Sequence, residues 1–131
     1  MRKIVLSLIA SATIVFAGNA VNKTVGSTMQ LMHSGMNMIA EGFYYNDKEK
    51  MQEGIEVVEK ANDIFLTVDI KSFLNKKVIS SAAVKNITSS IKDSIAKLKQ
   101  DIDTSNITKA GTDYGKVLDS CIACHIIIRK W

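Results

Sequence analysis

The chain of 131 residues contains no proline, and apolar residues recur at steps of three and four along four separate stretches. A proline inside a helix removes a backbone hydrogen bond and clashes with the preceding turn, so its absence permits long unbroken helices. Steps of three and four place apolar side chains on one face of each helix. Val25, Met29, Met32, Met36, Ile39 and Phe43 form the first stripe, on a helix predicted over residues 22–45. Met51, Ile55, Val58, Ala61 or Asn62, Phe65 and Val68 form the second, over 47–68, with Asn46 or Asp47 as its cap. Residues 69–77 show no period and read as the longest connection. Val84, Ile87, Ile91, Ile95, Leu98 and Ile102 mark a third helix over 78–103, with Lys, Asp and Ser on the opposite face. A fourth begins near Ser105 or Asn106, with Ile107, Gly111, Tyr114, Leu118, Cys121, His125 and Ile128 as its stripe. Four such helices with short joins predict an all-α, antiparallel up-down-up-down four-helix bundle.

The N-terminus reads differently from the rest. Arg2 and Lys3 precede an apolar run from Ile4 to Ala17, followed by the small residues Gly18 and Ala20. That order is the pattern of a secretory signal peptide, and the run is too short to span a bilayer. Residues 1–20 are expected to be cleaved, leaving residues 21–131 as one exported domain without a stable membrane span. Cleavage takes the basic count from 17 to 15 against 13 acidic residues, a net charge of +2. No basic stripe interleaved with aromatics is present, so nucleic acid is not an expected partner.

Both cysteines lie in one pentapeptide, Cys121-Ile122-Ala123-Cys124-His125. Cys-x-x-Cys-His is the attachment signature of c-type haem. Two thiols add to the two vinyl groups of a porphyrin, and the following histidine reaches the iron. Positions i, i+3 and i+4 share one helix face, so Cys121, Cys124 and His125 can address the same porphyrin. A zinc site needs two further ligands, and His33 is the one other Cys or His in the sequence. A thioredoxin-like pair needs a βαβ context, which the pattern lacks.

A four-helix bundle with this pentapeptide near the end of its last helix resembles the cytochrome c prime family, the class II c-type cytochromes. Leu31-Met32-His33-Ser34-Gly35-Met36-Asn37-Met38 is similar to that family's first helix, and Arg129 matches a basic residue common four positions after the histidine. Ile128 departs from the aromatic usual there, which bears on packing around His125. The resemblance implies one covalent haem c close to the C-terminal helix. It also implies one of two functions. A family member with a methionine from the first helix on the iron carries electrons. A member with an open sixth position binds nitric oxide or carbon monoxide.

Met32, on the first stripe and in the family's Leu-Met position, is the candidate sixth ligand, with Met29 and Met36 next to it on the same face. A bis-His haem through His33 is the rival. That residue falls on a polar flank with Gln30, Asn37, Glu41 and Tyr44, about 100° round the helix per residue. Arg129 is a candidate partner for a haem propionate, and equally a cation suited to a helix C-terminus. The leading expectation is a periplasmic single-electron carrier with His125 and Met32 as iron ligands. Its redox partners are undefined, and the family's habit of pairing through the first two helices makes a homodimer possible. No catalytic constellation stands out, so enzymatic activity is not expected.

Overall fold

The computed structural model describes residues 2–69 and 80–129, with the backbone alone for residues 2–19. Among these residues the fold is all-α, a four-helix bundle of α1 (Arg2–Tyr45), α2 (Lys48–Thr67), α3 (Ser81–Asp103) and α4 (Ile107–Arg129). None of these helices is long and apolar enough to cross a membrane.

The turns follow from a few residues. Asn46 takes φ 55° after α1, and the Asp47 N–H donates back to the Gly42 carbonyl at 2.9 Å. This is a left-handed helix stop of the Schellman type, in which asparagine replaces the usual glycine. Asp47 then caps α2, its Oδ1 accepting from the Lys50 N–H at 2.9 Å. Ser80 caps α3 by accepting from the Ala83 N–H at 3.4 Å. At the far end of α3, Ser105 takes φ 59°. Its N–H donates to the Ile102 carbonyl at 3.1 Å, and the Asn106 N–H donates to the Asp101 carbonyl at 2.7 Å. Ser105 therefore closes α3 rather than opening the last helix, and α4 starts at Ile107. Val78, the expected start of α3, and most of the 69–77 connection lie outside the described residues. So does Trp131.

Neighbours in sequence pack as neighbours in space: α1 on α2, α2 on α3, and α3 on α4. The core has two parts. One, toward the two short turns, gathers Met36, Ile39, Met51, Ile55, Val58, Ile95, Leu98, Ile102 and Val117. The other, toward the opposite end, gathers Val25, Met32, Ala61, Phe65, Val84 and Cys124. Burying each large aliphatic or aromatic side chain contributes about 1.5–3 kcal/mol before its entropy cost.

The stripes of the first three helices are buried as their spacing predicts, apart from Met29, Phe43, Val68 and Ile87, which are half-buried. The fourth is rotated. Ala110, Asp113, Val117 and Cys124 face inward, whereas Ile107 and Leu118 are 41% and 43% exposed. Apolar residues occupy two adjoining faces of α4, so periodicity alone does not choose between them. The packed face is the one that interlocks with α3, and the other is left along the side facing α1.

α1 and α4 make few close backbone approaches. Near the turns they are bridged by the Phe43 and Tyr114 rings, edge to face at 5.8 Å between centroids. The Tyr114 hydroxyl also donates to the Met36 carbonyl, at 3.4 Å. Beyond that bridge the gap between α1 and α4 opens into a recess.

Candidate haem-binding site

The recess encloses about 200 Å³ and is lined almost wholly by carbon and sulfur. α1 supplies Met29, Met32 and Met36. Phe65 of α2 and Thr88 and Ile91 of α3 form its floor. α4 supplies Leu118, Cys121, Ile122, Cys124 and His125, and His33 stands at its edge. The whole Cys-x-x-Cys-His signature therefore shares one cavity with the three methionines of the first stripe.

Their environments differ. Met32 and Cys124 are each 7% exposed and belong to the same packed cluster. Met36 is buried in the other core part, and Met29 is half-buried. Met51 is a core side chain of α2 that does not line the recess, and Met38 is half-buried outside it. All three methionine candidates named from the sequence thus reach the recess: Met32 and the half-buried Met29 pack with Cys124, and Met36 lies in the core part against which Cys121 packs.

His33 is exposed on the rim, where its Nε2 accepts from the Asn37 amide at 3.2 Å. This is the polar flank its helical position predicts. Arg129 is exposed and lines a second, more polar recess with Asn22, Gln30 and His33, which adjoins the first through Met29 and His33. A cation there stands next to the apolar cavity rather than inside it.

Electrostatics give the motif residues distinct characters. Burial pushes the Cys121 thiol up to about 11, with the neighbouring Cys124 adding to the effect, and burial also pushes Cys124 upward. Neither forms a disulfide. A reactive redox cysteine needs the opposite shift, toward thiolate, so a thioredoxin-like role fits poorly. Burial, reinforced by Arg129, lowers the His125 pKa, which favours the neutral imidazole with a lone pair to give. Among the described residues no three of His, Cys, Asp and Glu gather into a group that could hold a metal ion.

Thr88, Ile91, Leu118 and Ile122 line the recess without having been singled out as site residues. Leu118 and Ile122 carried a signal: two large apolar residues four apart, on either side of Cys121 in sequence, on the face of α4 left over after core packing. Thr88 carried none, because its hydroxyl is satisfied locally by the Val84 and Lys85 carbonyls.

No family model, curated protein or solved structure matches the chain.

Proposed function

We propose that this protein is an exported c-type cytochrome of the cytochrome c prime kind, carrying single electrons through one covalent haem. The observation that carries the reading is the apolar recess shared by Cys121, Cys124 and His125 on one wall and Met32 on another. The residues fit such a group. Two thiols would fix the porphyrin by thioether bonds, and His125 would give its ring nitrogen to the iron. Met32 would give its thioether sulfur as a further ligand. When bound, the haem supplies an iron centre that gains and loses one electron.

The chain's own part is to hold and to exclude. Met29, Met36, Phe65, Ile91, Leu118 and Ile122 line the recess with apolar groups that would keep water from a bound haem, and with ligand type this would set its potential. His125 paired with a thioether raises that potential relative to two histidines. With His125 and Met32 holding the iron in both oxidation states, little rearrangement would accompany electron transfer. Arg129, at the polar margin, would pair with a propionate.

The ferrous spectrum with and without carbon monoxide tests the reading, on wild-type protein made with haem-attachment machinery and on Met32→Ala. A low-spin wild-type spectrum indifferent to carbon monoxide is expected, with Met32→Ala becoming responsive. A wild-type protein that binds carbon monoxide directly would replace the carrier by the gas-binding alternative.

A further inference from the structure

Sulfur is concentrated in the recess between α1 and α4. The thioethers of Met29, Met32 and Met36 line it from one side, and the thiols of Cys121 and Cys124 from the other helix. Both cysteines are free of disulfides. The five residues sort into two groups. Met32 and Cys124 are buried members of one packed cluster, and the half-buried Met29 packs against the same cluster. Met36 belongs to the other core part, against which Cys121 packs. Met29 and Met32 are three apart on α1, so they share the helix face that meets Cys124 across the recess.

Thioether and thiolate sulfur are soft donors, and such ligands select Cu(I). Hard cations take oxygen instead, and a structural zinc site takes four ligands from Cys, His and carboxylates. That second kind of set is missing, since no three of His, Cys, Asp and Glu gather among the described residues. The charge count favours Cu(I) as well. Cu(I) on one thiolate and two neutral thioethers has no net charge. It can therefore sit among Phe65, Ile91 and Leu118 without the cost of an unpaired buried charge. A divalent ion on the same three atoms would leave a positive charge facing carbon.

We propose that the haem-free chain binds one Cu(I) ion in this recess through the sulfurs of Met29, Met32 and Cys124. The ion replaces the proton of the Cys124 thiol, and that proton leaves to water. Copper enters as Cu(I) and stays Cu(I), so no electron moves. The ion ties α1 to α4 across a gap where the two helices make few close backbone approaches. His33 stays outside the set, on the rim with its ring nitrogen on the Asn37 amide. Copper binding needs no haem. Where haem is attached as proposed above, the two exclude each other, because both claim the Cys124 sulfur.

The test is a Cu(I) titration of full-length protein made without haem-attachment machinery, kept reduced and free of oxygen, in competition with the coloured chelator bicinchoninate. The wild type is expected to take one Cu(I) per chain, and X-ray absorption at the copper edge to show sulfur neighbours. Met29→Leu, Met32→Leu and Cys124→Ala are each expected to weaken binding about tenfold or more, a loss that even outer-shell partners of a metal can cause. Met38→Leu, outside the recess, is expected to leave it unchanged. Leucine keeps the volume of methionine, and helical circular dichroism checks that each variant is folded. A folded wild type that takes no Cu(I) overturns the proposal. So does binding that neither methionine change weakens, which would mark a site made by the two cysteines alone. Neither result bears on haem, whose attachment is read separately from the mass of the protein.

Discussion

Gly35 of α1 and Gly54 of α2 meet backbone against backbone. A Cβ on Gly35 would stand 2.7 Å from the Gly54 carbonyl oxygen, and one on Gly54 would stand 2.6 Å from the Gly35 carbonyl oxygen. Carbonyl oxygens in packed helices cannot swing aside as the end of a flexible side chain does. The pair therefore sets how closely the α1–α2 hairpin packs, and with it where Met32, one turn from Gly35, stands in the recess.

Substituting alanine at either position should force the helices apart. Overpacking of this kind costs about 1–3 kcal/mol, and alanine's better helix propensity returns about 1 kcal/mol at most. A net loss of stability is expected for Gly35→Ala and Gly54→Ala in denaturant unfolding. Gly111, in the exposed part of α4, has nothing within 4 Å of its would-be Cβ. Gly111→Ala is therefore expected to stabilise by about 0.5–1 kcal/mol.

The two left-handed helix stops offer a second comparison. Asn46 and Ser105 have nearly the same φ, 55° and 59°. Asparagine tolerates this region, whereas serine is strained by its Cβ. Ser105→Gly is expected to raise stability by about 1 kcal/mol, and Asn46→Gly to change it by clearly less, as read from thermal or urea midpoints.

Acid should act through Asp113. Lys116 depresses its carboxyl pKa in the folded protein, so its contribution is present above the ordinary carboxylate range. It is lost as pH falls through the depressed value. Lys116→Met, which removes the ammonium, is expected to move the onset of acid unfolding to higher pH, as followed by helical circular dichroism.

Alkali should act through Tyr114. Burial raises its hydroxyl pKa, so its contribution is complete below the ordinary tyrosine range and lost as pH rises through the folded value. Tyr114→Phe keeps the ring contact with Phe43 and removes the titrating group. The variant is expected to hold its stability further into alkaline solution than the wild type does.

Periodicity made α1, α2 and α3 legible because each has one apolar face and a polar one. α4 was read one face off. Ala110, Val117 and Cys124 form a narrow packed stripe, and Leu118, Ile122 and Ile126 beside it are equally apolar. A pattern that is apolar on two faces does not say which one meets α3. Buried Asp101 and Asp113 were hidden for a related reason. An aspartate in a helix of lysines and serines reads as solvated until the packing of its helix is known. Within the site, the pentapeptide and the methionine stripe were legible because their chemistry is tied to local spacing. The floor formed by Phe65, Thr88 and Ile91 was not, since it comes from helices distant in sequence.

The central claim is that Cys121 and Cys124 carry a haem. Intact mass under denaturing conditions tests it most directly, on protein purified from cells equipped to attach haem. The mass of the polypeptide plus one haem is expected, with the added mass lost when both cysteines are changed to alanine. A mass equal to the polypeptide alone would contradict the account.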